Sequence, residues 1–171
     1  SILDLPAQVR LGTSSPRRAA QIRRIRPDIV TTLLRGNVAT RLSKLSEGAV
    51  DATLLAAAGL DRLGMYEIGT AQDISLLLPA ASQGAIGIEC RSDDGDTMEM
   101  LRAINHQPTF EAVSAERAFL AGLGGDCRSP VAAHAHWLEN GDLWLDAEIY
   151  SEDGADYVTR HTLVQGADSA F

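Results

Sequence analysis

One stretch decides the fold of the first half of this chain, Val9-Arg-Leu-Gly-Thr-Ser-Ser-Pro-Arg-Arg18. Its apolar start predicts a short strand that ends at a Gly12 turn. Ser14 or Ser15 can cap the helix that follows, with Pro16 in the first turn, where proline is tolerated. The stretch therefore predicts a helix N-terminus placed directly after a strand.

Strand and helix patterns continue to alternate after this stretch. The predicted elements are a helix over 17–26 that Pro27 stops, a buried strand over 29–34, a helix over 38–45, an apolar strand over 52–58, a helical turn over 60–63 and a strand over 85–89. This alternation is typical of parallel βαβ units. We therefore predict an α/β lobe over residues 1–91, in which 76–90 form the returning strand segment.

The pattern changes after the polar stretch 91–96, which we interpret as a domain boundary. Helices are predicted over 97–105 and 109–123, with Pro108 between them, and antiparallel strands over 131–138, 143–150 and 157–164. The turns at 139–142 and 151–154 suit hairpins. The second predicted unit, 92–171, is therefore a small α+β domain with a three-stranded antiparallel sheet.

Composition narrows the classes of function. The chain has 171 residues, 45% of them hydrophobic, and a formal net charge of -8. This charge argues against general binding of nucleic acid or anionic membranes, and no apolar run reaches the roughly 20 residues of a membrane span. The N-terminus lacks a signal-peptide pattern and an initiator Met, so we expect a fragment or a processed product. Two cysteines are too few for a disulfide framework, which favours a cytoplasmic location.

Basic residues are concentrated at the N-terminal end. The first 44 residues hold nine Lys/Arg against two Asp, whereas the remainder holds six against twenty-one Asp/Glu. Arg17 and Arg18 lie at the predicted helix N-terminus, and Arg35 and Arg41 follow the next strand, whose end faces the same crevice. Guanidinium forks match carboxylate or phosphate with two parallel hydrogen bonds. These arginines therefore predict a pocket for a ligand with several negative groups.

A purely structural role for these arginines stays open. Two cations at a helix N-terminus oppose the helix dipole, and a bound anion would resolve that conflict. The alternative is a solvated helix start with snorkelling arginines. For Lys44, on the following helix, we favour a surface role.

The cysteines and histidines give weaker signals. Cys127 lies in the loop Gly124-Gly-Asp-Cys-Arg-Ser-Pro130, where a neighbouring arginine can lower a thiol pKa and suit it to nucleophilic attack or covalent attachment, although an inert thiol is the alternative. Cys90 ends an apolar strand and is predicted to be a structural thiol. His134 and His136 share one strand face without a third ligand, so no metal site is predicted.

Together these motifs resemble the porphobilinogen deaminase (hydroxymethylbilane synthase) family of tetrapyrrole biosynthesis. The matching pieces are Gly12-Thr-Ser-Ser-Pro-Arg-Arg18, Leu34-Arg-Gly-Asn-Val38, Thr40-Arg-Leu-Ser-Lys-Leu45, Ala56-Ala-Ala-Gly-Leu60, Arg62-Leu-Gly64, Ser82-Gln-Gly-Ala-Ile-Gly-Ile-Glu-Cys90, Ala115-Glu-Arg117 and the Cys127 loop. Their order and spacing run through nearly the whole chain. Pro16 and the Gly-Gly-Asp before Cys127 depart from many members.

The resemblance implies a cytoplasmic transferase of porphyrin and heme biosynthesis. Such enzymes join four porphobilinogen units into hydroxymethylbilane and release ammonia. They use a covalent dipyrromethane cofactor, whose thioether the resemblance assigns to Cys127. The remaining cofactor-binding positions would be Ser15, Arg17, Arg18, Arg35 and Arg41. Porphobilinogen and the growing polypyrrole are the implied partners, without metal, nucleic acid or membrane, and the full-length protein is expected to be a monomer.

The family has three domains, of which two resemble the lobes of type II periplasmic binding proteins. This chain resembles the second and third, and the catalytic aspartate, the general acid, is expected in the first. We therefore expect no catalytic residue in this chain and no turnover by the chain alone.

Two other functions stay open. The first is a solute-binding-type lobe that holds a polycarboxylate or phosphate without chemistry, and Cys127 discriminates against it because such a lobe needs no thiol. The second is a nucleic-acid-binding domain, which the absence of aromatic residues among the arginines disfavours.

Overall fold

A computed structural model describes residues 1–126 and 128–164, and a three-stranded parallel sheet organises its first half. The strands are β1 (Arg10–Gly12), β2 (Val30–Thr32) and β3 (Ala52–Thr53), in the order β2-β1-β3. The helices that follow them are α1 (Pro16–Ile25), α2 (Val38–Ser46) and α3 (Ala57–Arg62). The predicted alternation of strands and helices around a parallel sheet is confirmed.

The core of this half lies around the central strand. Leu11, on β1, and Ile22, on α1, are almost fully buried, and Ile2 and Ile29 complete the cluster. The prediction of a strand within 29–34 is confirmed by β2, but the prediction that this strand is buried is wrong. β2 is a short edge strand, so Val30 remains 53% exposed, and only the flanking Ile29 and Leu34 reach the core.

An antiparallel sheet organises the second half. Helices α4 (Gly95–Ile104) and α5 (Gln107–Gly122) precede strands β4 (Val131–Trp137), β5 (Leu143–Tyr150) and β6 (Tyr157–Leu163), which lie in the order β4-β5-β6. The predicted three-stranded sheet is confirmed. Pro108 does not separate the helices but lies in the first turn of α5, where its missing N–H would have no partner in any case.

The predicted strand over 85–89 is wrong. Residues 84–91 are exposed and without regular structure, and the side chains of Ile86 and Ile88 are 75% and 57% exposed. A strand needs a neighbour for its backbone N–H and C=O groups, and this segment pairs with none of the described strands. The helices of the described ranges include none that is both long and apolar enough to span a bilayer.

The antiparallel sheet contacts α1 directly. The guanidinium of Arg24 lies 3.7 Å from the ring centroid of Tyr157, and Gln21 Nε2 donates to Glu148 Oε2 at 3.2 Å. At the β5–β6 hairpin, Gly154 lies against the backbone of Ala20. The helix that begins with the predicted binding arginines is therefore also the helix on which the second sheet rests.

Candidate functional site

The turn after β1 lies where the carboxyl ends of the three parallel strands meet. The Thr13 N–H donates to the Thr32 carbonyl at 2.8 Å, and Thr53 Oγ1 donates to the Gly12 carbonyl at 2.9 Å. A Cβ on Gly12 would lie 2.7 Å from Leu34 Cδ2 and 2.9 Å from Leu34 Cβ, so glycine lets the buried Leu34 side chain pack directly against the end of β1. In parallel α/β sheets, this edge is where ligands bind.

Ser15, one of the two predicted caps, is the residue that caps α1. Its Oγ accepts the Arg18 N–H at 3.3 Å, and its own N–H donates to Thr13 Oγ1 at 3.2 Å. Ser14 is left exposed and accepts Arg41 Nη2 at 3.2 Å. The first turn of α1 contains no acidic residue, so the positive end of the helix dipole stays available for an anion.

Arg18 and Arg41 converge at this edge. Arg18 Nη1 donates to the Leu54 carbonyl at 2.9 Å, and Arg41 Nε donates to the Gly36 carbonyl at 2.8 Å. Burial, followed by repulsion from Arg41, lowers the pKa of Arg18. Two half-buried cations therefore face each other at a cost in free energy, which a bound anion would offset.

Arg35 and Lys44 lie on the outer side of this edge. The Arg35 side chain is exposed, and its backbone carbonyl accepts Lys44 Nζ at 3.2 Å. Lys44 is half-buried and donates to this carbonyl, whereas the Arg35 side chain is exposed to solvent.

Arg17 is set apart from the other three arginines. It is 5% exposed and donates to the Leu78 carbonyl, to Gln21 Oε1 at 2.9 Å and to Gln83 Oε1 at 3.1 Å. Burial, with a smaller contribution from Arg18, lowers the pKa of Arg17 to about 10. The Arg17 guanidinium thus forms hydrogen bonds with both ends of the 78–83 segment.

Carboxylate partners are missing from this set of arginines. The ion pairs within residues 1–126 and 128–164 include none to Arg17, Arg18, Arg35 or Arg41. By contrast, Arg10, Arg24 and Arg26 each pair with Asp or Glu. Within the described ranges, the four predicted binding arginines therefore make no ion pair, although Glu148 attracts Arg17 more weakly from a distance.

The predicted attachment residue, Cys127, lies outside the described residues. Beside it, Asp126 Oδ1 accepts the Arg128 N–H at 2.8 Å, and this backbone hydrogen bond is the main cause of the lowered pKa of Asp126. Cys90 is exposed rather than packed in a strand; the prediction of a structural thiol there failed together with the strand over 85–89.

Glu116 connects two parts of the structure, a role that the sequence motifs did not predict. Its side chain is 8% exposed, accepts the N–H groups of Ser82 and Ala135 at 2.6 and 2.8 Å, and lies 3.7 Å from His134 Nδ1. Glu116 follows the buried Ala112 by four residues and so lies on the same, buried face of α5. A charged side chain on a buried helix face must be paired, which could have identified Glu116 from the sequence.

Two histidines of the antiparallel sheet lie near one carboxylate, that of Asp146 on β5. His136 Nδ1 lies 3.7 Å from Asp146 and His161 Nδ1 lies 2.6 Å from it, on the next strand. The described ranges contain no group of three or more His, Cys, Asp or Glu side chains arranged to hold a metal ion.

We expect His134 to make the stability of the chain depend on pH. Glu116 raises the pKa of His134, with Asp146 adding a smaller attraction against partial burial. A raised folded-state pKa stabilises the fold below about pH 6.5, and this contribution is lost as the pH rises through the folded-state value. The difference in urea midpoint between the parent and His134→Gln should therefore shrink from pH 6 to pH 8.

The matched control is His106→Gln, because the His106 ring is exposed and its Nδ1 hydrogen-bonds Thr109 Oγ1 at 2.8 Å rather than a carboxylate. His136 and His161 lie near Asp146 on the same sheet and remain in both proteins of the comparison. A difference that stays constant over this pH range would contradict the role of His134.

Comparisons with known proteins agree with the motif series. Residues 1–99 match the family model "Porphobilinogen deaminase, dipyromethane cofactor binding domain", and residues 110–171 match "Porphobilinogen deaminase, C-terminal domain". The chain is 69% identical over 166 residues to porphobilinogen deaminase of Sphingopyxis alaskensis, covering 97% of this chain and 53% of that protein. It is 51% identical over 156 residues to the porphobilinogen deaminase of Syntrophobacter fumaroxidans, covering 91% and 50%. The chain thus spans about half the length of these curated relatives.

Proposed function

This chain belongs to the porphobilinogen deaminase family, and from this premise we propose that it is the cofactor-holding half of a transferase that joins four porphobilinogen units into hydroxymethylbilane and releases ammonia. The observation that carries the proposal is the half-buried pair Arg18 and Arg41, which lack a carboxylate partner among the described residues. Polypyrroles carry acetate and propionate side chains, and forked cations bind carboxylates with geometric specificity. The product places the protein in porphyrin and heme biosynthesis.

The donor set fits a dipyrromethane, the group named by the matched family model. The hydroxyls of Ser14 and Ser15 and the guanidiniums of Arg18 and Arg41 lie at one helix N-terminus, and Arg35 is exposed beside them. When bound, this group supplies the pyrrole that is extended. The chain's own residues hold its carboxylates and orient it, and half-burial of Arg18 strengthens the attraction by limiting screening.

We assign the thioether attachment to Cys127 and the carboxylate contacts to Ser15, Arg18, Arg35 and Arg41. Arg17, included by resemblance, keeps a supporting place in this set: in the described conformation it binds the 78–83 segment, and a ligand would have to displace those contacts to reach it. We place the general acid for the loss of ammonia in the other half of the enzyme, and we propose no catalytic residue in this chain.

We further propose that residues 1–91 form a lobe of the type II periplasmic-binding-protein class and that 92–171 form the cofactor-attachment domain. The separate matches to 1–99 and 110–171 support a division of the chain. The exposed isoleucines of 84–91 suit a segment that pairs with the remaining half of the enzyme. A cytoplasmic monomer remains our proposal for the whole protein.

The test is a chimera in which residues 1–171 replace the matching half of the Sphingopyxis alaskensis protein. We expect the denatured chimera to carry the added mass of one dipyrromethane on the peptide that contains Cys127, and the native chimera to consume porphobilinogen. The Cys127→Ser variant should lose both, because a hydroxyl is a far weaker nucleophile than a thiolate. The isolated chain should not turn over, since the site needs both halves to orient the substrate.

Cys90→Ser is the matched control for cysteine loss and should retain both properties. A folded chimera whose Cys127 stays unmodified, or a Cys127→Ser variant with parental consumption, would overturn the assignment. An unmodified chain that still binds polycarboxylates would instead favour the solute-binding lobe.

A further inference from the structure

The 78–83 segment, which runs between the two sheets, is held from both sides. On one side, Arg17 binds the Leu78 carbonyl and Gln83 Oε1. On the other, the Ala133 N–H of β4 donates to the Pro79 carbonyl at 3.0 Å, and Glu116 Oε2 accepts the Ser82 N–H at 2.6 Å. The segment therefore joins α1 to α5 and β4.

Both ends of this connection lie next to predicted binding residues. Arg17 directly precedes Arg18 at the start of α1. Glu116 lies on α5, which leads into the Cys127 loop at Gly122, and it also binds Ala135 of β4, the strand into which that loop runs. Glu116 thus lies on one of the two elements that flank the cysteine loop and binds the other.

The connection is built from groups that tolerate little movement. Arg17 and Glu116 are both buried, and Ser82 adopts a φ of 63°, in the left-handed region. Such a conformation in a residue other than glycine persists only where its surroundings stabilise it. The hydrogen bond from the Ser82 N–H to the Glu116 carboxylate provides this stabilisation. Removing one partner of a buried charged network leaves the other uncompensated.

We propose that Arg17 and Glu116 are positioning residues that act through the 78–83 segment to fix the cysteine loop relative to the Arg18–Arg41 anion site. This inference rests on the proposed function for its purpose, because a covalently attached ligand must reach both places. Neither residue needs to touch the substrate. A displacement of about 1 Å at a reacting group can cost about 100-fold in rate.

The experiment measures the distance between the two places directly. Nitroxide labels are attached to Ala39→Cys on α2 and to Leu123→Cys at the exposed start of the loop, with Cys90→Ser and Cys127→Ser as background. In the parent we expect one narrow distance distribution by pulsed electron spin resonance. Glu116→Gln should shift or broaden it by more than about 1 Å, because Ser82 and Ala135 donate to different carboxylate oxygens and glutamine replaces one of these acceptors with an NH₂ donor.

Two further variants separate positioning from general destabilisation. Gln83→Ala removes one hydrogen-bond acceptor of Arg17 at an exposed loop position and should shift the label distance in the same sense as Glu116→Gln. If Glu116→Gln does not fold, Gln83→Ala tests the proposal in its place. Ile29→Ala weakens the core around β1 without touching the connection and should leave the distance unchanged. Unchanged distances in Glu116→Gln and Gln83→Ala, or equal changes in Ile29→Ala, would overturn the proposal.

A second readout links the connection to the cofactor. In the chimera, Glu116→Gln should reduce the rate at which Cys127 gains the added mass by at least about tenfold, equivalent to about 1.4 kcal/mol in activation free energy. If Glu116→Gln alters the label distance but even the parent chimera never carries the cofactor, the result would support the positioning role and contradict the proposed function. Altered distances with normal loading would contradict the role that we assign to the positioning.

Discussion

Replacing Arg18 with glutamine should weaken the binding of a synthetic dipyrromethane with acetate and propionate side chains to this chain by about 10- to 100-fold. A hydrogen bond to a charged group contributes about 1.5–3 kcal/mol, and half-burial of Arg18 reduces the solvent screening that would otherwise diminish it. Glutamine keeps a polar side chain, shorter than that of arginine, but removes the charge. Isothermal titration calorimetry at fixed ionic strength measures the effect.

Arg18→Lys separates the contribution of the positive charge from that of the two parallel hydrogen bonds that a guanidinium donates. Lysine keeps a point charge but cannot donate two parallel hydrogen bonds to one carboxylate, so its loss should lie between those of the parent and of Arg18→Gln. Arg102→Gln, on the exposed surface of α4, is the matched control and should bind as the parent does. Equal affinity in Arg18→Gln and Arg102→Gln would remove Arg18 from the binding site.

The sequence predicted those parts of the fold that are governed by local signals. The strand–turn–helix at Gly12 and the cap at Ser15 depend on residues within a few positions of each other, and both sequence and structure have them in the same place. The antiparallel strands were also predicted within a residue or two, since alternating side chains and hairpin turns are short-range patterns.

The sequence failed where a distant neighbour decides the outcome. Residues 85–89 have the composition of a strand, yet a strand forms only beside another edge. Val30 looks like a core residue but lies on an edge strand, and which strand occupies an edge depends on sheet order rather than on its own residues.

The arginines show the same limit within the candidate site. The motif treats Arg17 and Arg18 alike, but successive helix residues point about 100° apart. Arg18 consequently reaches the carboxyl edge of the sheet, whereas Arg17 turns into the interior and meets the 78–83 segment. The distinction between a binding arginine and a supporting one depends on a segment about 60 residues further along the chain, so the motif alone could not supply it.

Gly154→Ala should destabilise the chain more than other glycine substitutions in its turns. Gly154 has a φ of 77°, and a Cβ there would lie 2.6 Å from the backbone oxygen of Ala20. The left-handed conformation costs an alanine about 1–2 kcal/mol, and overpacking adds typically about 1–3 kcal/mol. The Ala20 backbone lies within α1 and cannot move aside as a flexible side chain would, so we expect a total loss of about 2–5 kcal/mol in urea unfolding.

Gly141→Ala separates these two contributions. Gly141 lies at the other hairpin with a φ of 87°, and a Cβ there meets nothing within 4 Å, so only the conformational cost of about 1–2 kcal/mol applies. Equal losses in the two variants would mean that the β5–β6 hairpin does not press on α1. A larger loss in Gly154→Ala would instead show that the second sheet is seated on the backbone of α1. The orientation of α1, and with it the direction in which Arg18 points, would then depend on a contact made by the far end of the chain.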